Sequence, residues 1–193
     1  MSLHLSGDPE ADRLISTDPL ALLIGMVLDQ QIPLEKAFAG PAELRRRLGG
    51  LLDAEVIAAM GPDELVAVFA TRPALHRFPA ANAKRVQALC RTLVDDYRGH
   101  AATVWTGATD GEELLGRIRG LPGFGDHKAK IFVALLGKQL AVRPEGWEQA
   151  AGEFAEADSR RSVADITDEV SLGEVRTYKQ QMKARARAAA EPG

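Results

Sequence analysis

The chain has 193 residues, a formal net charge of −3 and 46% hydrophobic residues, enough apolar material for one globular domain or two small lobes on a shared core. Its longest apolar run, Leu20 to Leu28, is interrupted by Gly25 and is too short to span a bilayer, so no membrane role is expected. Asp8, Glu10 and Asp12 stand where a signal peptide would carry a basic start and an apolar core, and a cytoplasmic location is expected.

In chain order the pattern is helical almost throughout, with no convincing strand. Thr17-Asp18-Pro19 supplies the cap and first turn of a helix running to about Gln31, apolar on nearly every side and therefore expected in the core. Pro33 opens a short helix with Glu35, Ala37 and Phe38, and Pro41 starts another that ends at Gly49-Gly50. Helices over Asp53–Met60 and Pro62–Ala70 follow, each bounded by Gly or Pro. A long amphipathic helix then spans about Pro79 to Tyr97, entered through the basic turn Ala83-Lys84-Arg85. Its stripe Val86, Leu89, Cys90, Leu93, Val94, Tyr97 buries the single cysteine, which excludes an internal disulfide and a four-cysteine iron–sulfur cluster. Trp105 lies in a connection.

Asp110 caps the next helix, with Leu114, Leu115 and Ile118 on its apolar stripe and Gly120 at its end. Leu121-Pro122-Gly123-Phe124-Gly125-Asp126-His127-Lys128-Ala129-Lys130 then leads into a helix marked by Ala129, Ile131, Phe132, Leu135 and Leu136. Beyond Gly137 come a loop over Lys138–Gly146, a helix from Trp147 to Ala155, an acidic stretch and a last helix near Leu172 to Ala188, after which the end should fray. The histidines at 4, 76, 100 and 127 show no ligand-like pairing, so no metal site is expected.

The turn at 121–125 carries the clearest chemical signal. Glycines at 123 and 125 permit positive φ and remove side chains that would keep a ligand from the main-chain amides. The helix that follows points its free N–H groups and positive dipole end at the same spot, an arrangement suited to a phosphate. An ordinary αα-hairpin with a glycine turn is the alternative. Positive charge gathers at Lys128, Lys130, Lys138 and Arg143 and again at Arg176, Lys179, Lys183, Arg185 and Arg187, while acids dominate 145–169. A basic patch on an acidic protein is compatible with salt-sensitive DNA binding, and the C-terminal run also fits a solvated helix face.

Leu-Pro-Gly-x-Gly followed by a basic helix start resembles the helix-hairpin-helix of the HhH-GPD superfamily of base-excision DNA glycosylases. Asp18-Pro19-Leu20-Ala21-Leu22-Leu23 through Leu28-Asp29-Gln30-Gln31 resembles its N-terminal helix, and the likeness covers about Asp18 to Trp147. The resemblance implies an all-α, DNA glycosylase-like fold of two interwoven helical lobes within one domain over 1–193. The helix-hairpin-helix would occupy about 110–138 and a C-terminal helical extension about 147–193. It implies double-stranded DNA as partner and a monovalent cation at the hairpin when DNA is bound; no membrane, and with a single cysteine no iron–sulfur cluster or other cofactor, is expected. Gln31 matches the glutamine that fills the gap left by an extruded base; without the resemblance, Gln30 and Gln31 read as a helix end ahead of Pro33. Gly123, Gly125, His127, Lys128, Lys130 and Arg143 are the remaining expected DNA-binding residues.

Two departures shape the expected chemistry. Bifunctional members carry a lysine at the seventh hairpin position, which is His127 here. Lys128 lies about 100° further round the helix and is expected to point elsewhere, so a monofunctional N-glycosylase is implied. The superfamily's aspartate after the hairpin helix is missing from Val142-Arg143-Pro144-Glu145-Gly146-Trp147, where Glu145 is the one carboxylate. A carboxylate is needed to stabilise the oxocarbenium-like sugar and activate water, which makes Glu145 the candidate catalyst. Glu145 equally fits an acid placed on the dipole of the following helix. The alternative function is a member without catalysis that recognises lesions or DNA structure. A helical protein–protein module remains open because of the acidic charge.

Overall fold

The computed structural model describes residues 2–190, with the side chains of 186–190 excepted, so Arg187 of the basic run and the frayed end expected at 191–193 lie outside the described residues. Among the described residues there are eleven α-helices, two 3-10 turns and no β-strand, so the chain is all-α.

Three helices form the first group: α1 (Pro9–Thr17), α2 (Pro19–Leu28) and α3 (Leu34–Arg47). The acidic start, unassigned from sequence, is helical because the Asp8 carboxylate accepts from the Glu10 and Ala11 amides and Pro9 presets the first turn. Asp18 and Pro19 repeat the device for α2, in which Leu20 to Leu28 are all buried. That helix ends at Leu28, three residues before the expected Gln31, because Asp29 leaves helical ψ and Gln31 adopts φ +58°. Pro41, expected to start a new helix, sits inside α3. The ring forfeits one backbone bond, but Ala37, Phe38, Pro41 and Leu44 form a buried face that keeps the helix in place, with the Phe38 ring against Gly25 of α2.

The second group follows the sequence pattern closely: α4 (Ala54–Ala59) and α5 (Pro62–Ala70) pack on α6 (Pro79–Tyr97). Cys90 is fully buried there, and burial pushes its thiol up to about 12, which leaves it an inert apolar filler at neutral pH. Trp105, expected in a connection, lies in the one-turn α7 (Thr103–Thr106) with its ring edge-on to Phe132. The third group is built on α8 (Gly111–Arg119) and α9 (Asp126–Gln139), with α10 (Trp147–Ala151), 3-10 turns at Gly152–Ala155 and Val163–Asp165, and the long α11 (Glu169–Ala190). The helix expected over 147–155 therefore tightens to 3-10 geometry beyond Gly152, whose φ is +60°. One continuous apolar core runs from Leu3 to Val175.

Candidate functional site

α8 and α9 are joined by Gly120–Gly125, as the glycine turn requires. Gly123 has φ +91°, and a Cβ there would lie 3.1 Å from the Val27 Cγ2 of α2, so a glycine lets the turn both bend and seat on α2. Gly125 differs: its φ is −74° and a Cβ would meet nothing within 4 Å. What its missing side chain leaves free is space in front of the α9 N-terminus, where no side chain caps the first amides. Asp126 is turned aside by ion pairs with Lys130 at 2.9 Å and with Arg119, which hold its carboxyl below the usual range, the Lys130 hydrogen bond first among the causes.

Beside this turn lies a cleft of about 580 Å³ between the end of α2, the Gln31–Ile32 turn, the first turns of α9, the 3-10 turn at Phe154 and the middle of α11. His127 and Lys128 both line it, which corrects the expectation that Lys128 points away from the His127 pocket. The cleft is concave around the start of α9, with α2 on one side and Phe154 on the other, so neighbouring positions 100° apart both face it. His127 is exposed and edge-on to Phe154, the ring centroids 5.1 Å apart. The Lys128 ammonium donates to the Met26 carbonyl at 2.5 Å, one of the open carbonyls at the C-terminus of α2, where the helix dipole favours a cation. Burial lowers this lysine to about 8, with Asp29 opposing the shift.

Asp29 follows α2 directly, and its carboxylate lies 3.7 Å from the Lys179 ammonium of α11. Gln31, two residues on, is exposed with left-handed backbone, a conformation that costs a non-glycine residue about 1 kcal/mol or more unless its surroundings hold it. His76 does the holding. The Phe78 amide donates to its Nδ1 at 3.0 Å, which makes Nε2 the protonated nitrogen, and Nε2 donates to the Gln30 carbonyl at 2.8 Å. The ring is 1% exposed, and burial lowers its pKa, so it stays neutral in this role.

The other expected residues are elsewhere. The Glu145 carbonyl accepts from the Gly111 amide at 2.7 Å, which ties it to the first residue of α8. That helix of nine residues sets Glu145 roughly 13 Å of helix away from the glycine turn. The Arg143 guanidinium donates to the Gly137 carbonyl at 2.7 Å and lies over the Trp147 ring at 5.9 Å, at the same far end. The structure thus places Gln31, His127 and Lys128 on one cleft, with Gly123 and Gly125 on the adjoining turn and Lys130 paired with Asp126 at the start of α9, while Glu145 and Arg143 lie at the other end of α8 and α9.

Asp29, Lys179, Tyr178 and His76 complete the cleft or support it, and only Lys179 stood out beforehand, as one of a charge run. Asp29 did carry a signal: an acid at the C-terminal end of an apolar helix opposes the helix dipole and needs another reason to be there. No helix among the described residues is long and apolar enough to cross a membrane, and no group of three metal-ligating side chains occurs among them. No protein-family model matches the chain, and no curated protein matches its sequence.

Proposed function

We propose that this is a helix-hairpin-helix DNA-binding protein of base-excision repair, a monofunctional N-glycosylase that draws a damaged or mismatched base out of duplex DNA into the cleft beside α9. The observation that carries the reading is a cleft lined by the exposed Gln31 on its braced turn and by a half-buried charged wall of Lys128 and Asp29, next to the uncapped start of α9 behind Gly125. Amides and a dipole end suit a backbone phosphate without reading sequence. An exposed amide side chain on a rigid turn suits the gap left by an extruded base, whose unstacking costs a few kcal/mol. The hydrolytic, cytoplasmic and cofactor-free character belongs to the same proposal, as does a monovalent cation on the hairpin carbonyls in the DNA complex.

The Lys128 amine is engaged with the Met26 carbonyl, which supports hydrolysis rather than attack by an amine. Glu145 sits outside the cleft, and this observation favours the second reading, a lesion-recognition protein without catalysis. The deciding experiment is single-turnover incubation with duplexes carrying uracil, alkylated or oxidised bases, assayed with and without alkali. Strand breaks that need alkali are expected for at least one lesion. Nicking without alkali, or a borohydride-trapped covalent complex, overturns the monofunctional claim, and binding without release on every lesion selects the second reading. Substituting Gly125 by Leu should weaken duplex binding about tenfold while the helical spectrum is kept, and the log–log salt slope of the unmodified protein should be about −3 to −5. Unchanged affinity in that variant removes the hairpin from the interface.

A further inference from the structure

We propose that Asp29 is the catalytic carboxylate of this cleft, the group that faces the sugar of the extruded nucleotide, an inference that rests on the glycosylase reading above. Two acids border the cleft, Asp29 and Glu153. Glu153 is bonded to Arg161 at 2.8 Å and its side chain is 61% exposed, so its charge is spent at the rim. Asp29 has an 18% exposed side chain, and among the described residues its nearest cation is Lys179 at 3.7 Å, too far for a hydrogen bond. Among the described residues neither Asp29 oxygen accepts a hydrogen bond from the protein, and the residue lines the cleft.

Its position fits the task. Asp29 is two residues from Gln31, so the side chain that would fill the stack and the carboxylate that would meet the sugar leave the same short turn. The carboxylate borders the space on both sides of Lys179, reaching the cleft at Lys128 and also the groove lined by Pro33 and Arg77. Lys179 at 3.7 Å and the Lys128 side chain in the same cleft set positive charge beside it, at the C-terminal end of α2. A carboxylate with low exposure is well placed against a cation that develops on deoxyribose, because little water screens the pair.

In the reaction the bond from C1′ to the base nitrogen breaks with its electron pair leaving on the base. A water oxygen bonds C1′, Asp29 takes one water proton, and that proton passes to the departing base. The products are the free base and an intact abasic deoxyribose.

The test is Asp29→Asn in single-turnover base release on whichever lesion the unmodified protein processes, with duplex affinity and a fluorescent base analogue read in parallel. Release should slow by 100-fold or more, while affinity and base extrusion change less than threefold, and Asp29→Glu should recover part of the rate. Release at the original rate in the Asn variant overturns the assignment and leaves the glycosylase reading standing. Parallel loss of affinity, extrusion and rate also overturns it, because Asp29 would then only shape the end of α2. If the unmodified protein releases no base from any lesion, the glycosylase reading and this assignment fall together.

Discussion

The two ends of α9 use glycine, aromatic and charged residues for opposite purposes. At the C-terminal end the Trp147 ring lies where a Gly137 side chain would be, Arg143 donates to the Gly137 backbone, and the Glu145 carbonyl, its side chain exposed, accepts from Gly111. At the N-terminal end the amides are uncapped, Gly125 faces open space, His127 is exposed, and Lys128 is half-buried in the cleft. The difference teaches that residue type alone does not mark a site. The carboxylate expected from the Gly-Pro-rich loop, Glu145, does not line the cleft beside the turn, whereas Asp29 at the end of an apolar helix does.

The largest effect should come from filling Gly137, with Gly125 as the contrast. A Cβ on Gly137 would fall 2.2 Å from Trp147 Cε3, which no rotamer relieves without moving the indole, so Gly137→Ala should cost roughly 2–4 kcal/mol. Gly125→Ala meets open space at an ordinary φ and should change stability by less than about 0.5 kcal/mol, with any loss confined to DNA affinity. Denaturant unfolding of both variants checks the contrast, and equal costs would mean that the turn end is packed as tightly as the far end.

Lys128 sharpens the same contrast through pH. Its folded value of about 8 lies below the ordinary 10.5, so between those limits the unfolded chain holds more protons and stability rises with pH. The burial penalty is complete below pH 8 and gone above 10.5. Lys128→Met should remove this rise, and the unmodified protein should gain on the order of 1–3 kcal/mol relative to the variant across that window. A constant difference in unfolding free energy from pH 7 to 10.5 would show that the ammonium is solvated and the cleft wall more open than described.

Much of the fold was readable because its signals were local. Asp18-Pro19, Asp53, Pro79 and Asp110 each start a helix where caps and first-turn prolines place it, and α6 occupies the expected span. What escaped depended on tertiary packing. Nothing near Pro41 says that Phe38 and Leu44 will be gripped by α2 and carry the helix through the proline. Nothing in the helical wheel says that the space around α9 wraps far enough for His127 and Lys128 to share it. His76 reaches Gln30 across 46 residues, a contact without local periodicity. The positive φ of Gly123 was legible in its residue type, whereas the left-handed Gln31 and the end of α2 at Leu28 were not, because the apolar pattern runs on to the glutamines.

The smallest expected effect is the most pointed. Glu145 is exposed and meets α8 through its backbone carbonyl, a contact that its side chain does not influence. Glu145→Gln removes a charge from the loop ahead of α10 and leaves the Gly111 bond in place, so stability should shift by less than about 0.5 kcal/mol. Base release should proceed within about twofold of the unmodified rate, since Glu145 is not among the residues that line the cleft. Running this variant beside the Gly137 and Gly125 substitutions in one single-turnover series separates the two ends of α9 by chemistry as well as by packing. Should Glu145→Gln abolish release with the fold intact, the reacting sugar would have to approach the α10 end, and the cleft beside the glycine turn would be left with DNA binding alone.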